Sequence, residues 1–65
     1  MQVKLNGKNE DVKAVTLSEL VQLKGFNCAR VVIEHNLKIV PEEKLAQTDL
    51  KENDVIEVLA FIGGG

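Results

Sequence analysis

Asp54-Val55-Ile56-Glu57-Val58-Leu59-Ala60-Phe61-Ile62-Gly63-Gly64-Gly65 closes the sequence. Its apolar run over residues 55–62 predicts a long strand that passes directly into three glycines. Period-two geometry puts Ile56, Val58 and Ala60 on one face and Glu57, Leu59 and Phe61 on the other. A charged side chain such as Glu57 is rarely buried, so Ile56 and Val58 are expected to face a core. The glycines bring maximal backbone freedom and no side chain to pack, which predicts a flexible tail over residues 63–65. Fully extended, such a tail reaches roughly 10 Å.

A strand this long needs partners. Val3 and Leu5 alternate with Gln2 and Lys4, as in a half-buried strand. Asn6-Gly7 is a strong signal for a tight hairpin, with residues 8–13 returning and Val12 inward. Thr16 with Glu19 three residues later forms a capping box, and Leu17, Leu20 and Val21 give one apolar helical stripe. Lys24 and Gly25 supply a cation in the last turn and a left-handed stop. Val31-Val32-Ile33 is β-branched and predicts a strand over residues 30–35, with Val31 and Ile33 inward and Val32 and Glu34 outward. His35-Asn36 reads as a turn, followed by a short strand Lys38-Ile39-Val40 that Pro41 ends. Residues 42–50 read as a loop with a short helical turn, plugged by Leu45 and Leu50, and residues 51–54 as a polar turn.

The order is hairpin, helix, strand, short strand, loop, strand. It predicts an α+β β-grasp: a mixed sheet of four to five strands with one main helix across one face. The final strand is expected beside the first, parallel and near the middle. Residues 1–62 form one domain in this reading, and residues 63–65 its tail. One helix covers one face only. Val32, Leu59 and Phe61, edged by Glu34 and Glu57, are therefore expected as an open apolar group of the kind that docks proteins.

Composition narrows the function. The chain has 65 residues and a net charge of −2. Trp and Tyr are absent and only Phe26 and Phe61 are aromatic, which leaves no stacking platform for bases, and a pI near 5.2 argues against nucleic acid. The acids are concentrated in residues 31–65, which carry seven against three bases. Such a half suits a basic surface on a protein partner, or is simply a solvated face. Cys28 is the only cysteine, so no internal disulfide can form, and a lone thiol fits a reducing compartment. No stretch approaches the ~20 apolar residues of a membrane span. A cytoplasmic location is expected.

Enzyme constellations are missing from the sequence. His35 is the only histidine, so neither a His pair nor a histidine-rich metal cluster is available. Beside Asn36, His35 reads as a solvated turn residue. Cys28 reads as a small, semi-buried hydrophobe rather than an activated thiolate. Glu42 and Glu43 are adjacent and point apart, which disfavours a shared acid/base site. The glycine tail is left as the place for chemistry, with a frayed terminus as the plain alternative.

Val3-Lys4-Leu5-Asn6-Gly7, Thr16-Leu17-Ser18-Glu19-Leu20, Val31-Val32-Ile33-Glu34 with Asn36, Ile39-Val40-Pro41, Asp54-Val55-Ile56-Glu57-Val58 and Ile62-Gly63-Gly64-Gly65 together resemble the ThiS family, sulfur carriers of thiamin biosynthesis. The resemblance implies a ubiquitin-like β-grasp that is not itself an enzyme. It implies that an E1-like adenylyltransferase activates the carboxylate of Gly65, next to Gly64, using Mg-ATP. It further implies a sulfur donor protein that turns the adenylate into a thiocarboxylate, and a thiazole synthase that receives the sulfur. The carrier itself would bind no cofactor and no metal. Ile62, Gly63 and the patch of Val32, Glu34, Glu57, Leu59 and Phe61 are the expected partner-binding residues.

Two positions depart from the family pattern. Leu37 stands where glycine often follows Asn36, and Leu at positive φ costs about 1–2 kcal/mol, which leaves room for another turn type. Asn53 stands where glycine commonly precedes Asp54, and Asn tolerates the left-handed region. A molybdopterin-synthase small subunit is the alternative within the same class, but it tends to have proline before its last glycines, and Ala60-Phe61-Ile62 has none. A non-catalytic ubiquitin-like or TGS-type interaction module with a passive tail is the alternative from another class.

Overall fold

The computed structural model describes residues 1–60; the predicted strand end at Phe61 and Ile62 and the glycine tail lie outside them. Five strands form one mixed sheet. They are β1 (Gln2–Leu5), β2 (Lys8–Asp11), β3 (Val31–His35), β4 (Lys38–Val40) and β5 (Val55–Ala60). Their spatial order is β2-β1-β5-β3-β4. β5 lies parallel to β1, pairing Lys4 with Val55 and Leu5 with Ile56, and antiparallel to β3. This is the closure expected from the element order.

Helix α1 (Leu17–Leu23) has the ends its sequence calls for. Thr16 Oγ1 accepts from Glu19 N at 3.2 Å, while Glu19 Oε1 accepts from Thr16 N at 3.1 Å and Val15 N at 2.7 Å. These bonds satisfy N–H groups that a helix start leaves open. At the other end Gly25 adopts φ +85°. Gly25 N donates to Gln22 O and Phe26 N to Val21 O, the two bonds of a Schellman stop. Lys24 is the C-cap residue rather than part of the last turn, and it pairs with Glu10 at the end of β2.

The helix stripe Leu17, Leu20 and Val21 is almost fully buried against Val3, Leu5, Ile33, Ile56 and Val58 of the sheet. Burial of each such side chain contributes about 1.5–3 kcal/mol before entropy is counted. A 3₁₀ segment, Glu42–Gln47, seals the core edge with Leu45, and Leu50 follows it. Val12 is buried just past the end of β2, and Ala60, the last described residue of β5, is exposed.

Three local expectations are corrected. His35 is the last residue of β3, and the turn is Asn36-Leu37. Leu37 does adopt positive φ, at +74°, after Asn36 at +51°. A two-residue loop joining antiparallel strands favours a primed turn, because its twist matches theirs. The pairing of His35 with Lys38 thus overrides the local preference of leucine. Cys28 belongs to a 3₁₀ turn, Cys28–Arg30, capped by Asn27, where a plain loop was expected.

Candidate functional site

β5 and β3 build the candidate docking face. Their register sets Val32 opposite Leu59 and Glu34 opposite Glu57, all on the face away from α1. Leu59 is 67% exposed, while Val32 and Glu34 are half-buried and Glu57 is exposed. The face assignment made from Glu57 therefore holds for all four. A shallow groove is lined by Asn6, Val32, Glu34, Glu57, Val58 and Leu59. Ile39 joins this face as the β4 neighbour of Glu34 and is 66% exposed, a member the sequence reading missed. Val40 packs against the core, so Ile39 before it points away, an orientation the structure supplies and three residues of strand sequence do not. Phe61, Ile62, Gly63, Gly64 and Gly65, also expected at the site, lie outside the described residues.

Glu34 and Glu57 are like charges in directly opposed positions, which works against strand pairing. Neither takes part in an ion pair among the described residues. The apolar pair Val32–Leu59 beside them leaves hydrophobic surface open to solvent. What this face can do chemically is recognise, not react.

β5 is held at its start by a polar cluster. His35 Nε2 lies 2.7 Å from Asp54 Oδ2, Asn36 Nδ2 donates to Asp54 Oδ1 at 3.1 Å, and Lys51 N donates to Asp54 Oδ2 at 2.9 Å. Burial pushes the Asp54 carboxyl up, but the bonds from His35, Asn36 and Lys51, with the charge of His35, outweigh it and hold it below the ordinary value. Asn36 also accepts Val55 N–H on Oδ1 at 2.9 Å and donates its own N–H to Val55 O at 2.8 Å. His35 is thus a half-buried partner of Asp54, not the solvated turn residue expected.

Cys28 is half-buried, its Sγ 3.9 Å from Ser18 Oγ and 4.0 Å from Ser18 O, in keeping with a packing role. Among the described residues no group of three or more His, Cys, Asp or Glu could hold a metal ion. No helix among them is long and apolar enough to cross a membrane.

A mixed five-stranded sheet with a parallel β1–β5 pair and one helix across a single face is the ubiquitin-like β-grasp. The ThiS family profile matches residues 3–65, and the chain belongs to the ThiS family. It is 32% identical to the sulfur carrier protein ThiS of Bacillus subtilis, over 97% of this chain and 98% of that one. It is 36% identical, along its whole length, to a thiazole synthase of Paramagnetospirillum magneticum. The chain spans about a fifth of the length of that relative, 20%. Among solved structures, the crystal structure of the thiamine biosynthesis protein ThiS from Geobacter metallireducens superposes with a TM-score of 0.82 at 32% identity, each chain covered completely.

Proposed function

We propose that this chain is a sulfur carrier that supplies sulfur for thiazole formation in thiamin biosynthesis, with the carboxylate of Gly65 as the working group. The observation that supports this most is a family match that runs from Val3 through the three glycines. In this reading residues 1–62 are the recognised body and residues 63–65 the tail that enters a partner's pocket. Glycine suits Gly64 and Gly65 because a Cβ would obstruct close approach of the backbone.

A carboxylate is a poor acceptor for a sulfur nucleophile. An E1-like partner, using Mg-ATP, transfers AMP to the Gly65 carboxylate and releases pyrophosphate. The terminal sulfur of a donor protein's persulfide then attacks the acyl carbon and AMP leaves. A thiol cleaves the resulting acyl disulfide, which leaves a thiocarboxylate on Gly65. A thiazole synthase takes up that sulfur; the thiazole synthase relative that contains a segment like this chain supports the pairing. The chain acts as substrate and not as catalyst, needs no cofactor or metal of its own, and works in the cytoplasm.

Deleting Gly65 tests the reading. The shortened chain is expected to lose ATP–pyrophosphate exchange with the adenylating enzyme while its melting temperature is unchanged. Full retention of exchange would favour an interaction module with a passive tail.

A further inference from the structure

The tight turns on either side of β5 are near copies of each other. Asn6-Gly7 holds φ +50° and +82°, and Asn36-Leu37 holds φ +51° and +74°. Both asparagines are exposed, and each rests its side-chain oxygen on a backbone N–H of β5. Asn6 Oδ1 accepts from Val58 N at 2.7 Å, and Asn36 Oδ1 from Val55 N at 2.9 Å. The turns differ in the residue that follows. A Cβ on Gly7 would meet nothing within 4 Å, and no hydrogen bond occupies the Gly7 N–H among the described residues. Leu37 puts an exposed side chain at the same place, with backbone strain and no burial to offset it.

We infer that Asn6 is a site of spontaneous deamidation in the folded protein, and that Leu37 shields Asn36 from the same reaction. Hydroxide removes the proton from Gly7 N, and that nitrogen attacks Cγ of Asn6. Charge develops on Oδ1, where the N–H of Val58 already donates and stabilises it. The Cγ–Nδ2 bond then breaks, and Nδ2 takes a proton from water and leaves as ammonia. Water opens the cyclic imide that remains. Opening at Cγ gives aspartate; opening at the main-chain carbonyl gives isoaspartate, in which the chain runs through Cγ. Aspartate keeps an acceptor for Val58 N–H. Isoaspartate draws Cγ into the main chain, and its extra methylene no longer fits the turn that pairs Leu5 with Lys8. The clasp on the strand that leads to the glycine segment is then lost. At Asn36 the same kind of donor is in place, so the difference lies in Leu37, whose side chain crowds the attacking nitrogen.

The test is to hold the folded full chain in mildly alkaline buffer and follow each asparagine by peptide mass mapping. Isoaspartate is scored with an isoaspartyl methyltransferase, which methylates its free carboxylate. The same chain unfolded in urea serves as reference. Folded wild type is expected to lose ammonia at Asn6 ahead of Asn9, Asn27, Asn36 and Asn53, none of which precedes glycine. Its isoaspartyl fraction is expected to melt at a lower temperature, whereas the variant Asn6→Asp melts close to wild type and accepts no methyl group. Leu37→Gly is expected to stay folded and to gain Asn36 as a further site. An Asn6 amide that survives in the folded chain while the chain in urea loses it would overturn the inference. An intact Asn36 in folded Leu37→Gly would overturn the role given to Leu37.

Discussion

Asn6 Oδ1 accepts the backbone N–H of Val58 at 2.7 Å, joining residues 52 positions apart. The parallel ladder between β1 and β5 pairs Lys4 with Val55 and Leu5 with Ile56, and then β1 turns away. The Asn6 side chain adds one more bond to that ladder and satisfies a donor that would otherwise face an open edge. Asn36 does the same from the other side of β5, accepting Val55 N–H. Two turn asparagines at positive φ, 50° and 51°, therefore clasp the strand that leads to Gly65. Asn6→Gly keeps the backbone conformation, removes the acceptor and adds the entropy of a freer unfolded chain. Urea denaturation is expected to show a loss of about 1–2 kcal/mol.

Asp54 makes stability depend on acidity. Its carboxyl is held below the ordinary value of 3.8, so the folded state binds its proton less readily than the unfolded chain. The stabilisation is present above that value and is lost as pH falls through the lower folded one. Thermal melts are expected to show this loss in the wild type only in strongly acidic buffer, below the ordinary value. Asp54→Ala should lack that component of the slope and be less stable at neutral pH by about 2–3 kcal/mol.

Leu37 holds φ +74° while its side chain is 87% exposed, so it stores backbone strain without burial to offset it. Leu37→Gly is expected to raise stability by about 0.5–1 kcal/mol, the strain relieved less the entropy of a freer unfolded chain. A lower midpoint in urea would show that the exposed leucine makes a stabilising contact.

Leu59 and Ile56 lie on opposite faces of β5. Leu59→Asp is expected to cost at most about 1 kcal/mol by denaturation and to weaken binding to the adenylating enzyme, measured by calorimetry. Ile56→Asp puts a carboxylate into a fully buried site and should leave the chain unfolded by circular dichroism.

The elements easiest to read from sequence are those whose signals are local. Thr16 and Glu19, and Gly25 after the apolar stripe, mark both ends of α1 within a few residues. Glu57 settled the faces of β5 because one charge at period two orients the whole strand. What stayed hidden depends on contacts distant in sequence. The bond between His35 and Asp54 spans 19 positions, and each residue alone resembles an ordinary turn side chain. Leu37 was misleading because its own preference opposes the turn imposed by β3 and β4. The apolar patch was legible in Val32 and Leu59, whereas Ile39 sits on a three-residue edge strand too short for alternation to speak. Nothing in the pattern of Glu34 and Glu57 shows that they stand opposite each other; only the register does.

Intact-protein mass spectrometry reads the chemistry at Gly65 itself. The full chain is incubated with its adenylating enzyme, Mg-ATP, a persulfide donor and a thiol, and the mass of the carrier is read before and after. The carrier role predicts replacement of one oxygen by one sulfur, localised by fragmentation to Gly65. An unchanged mass, with an enzyme shown to be active on another carrier, would contradict it.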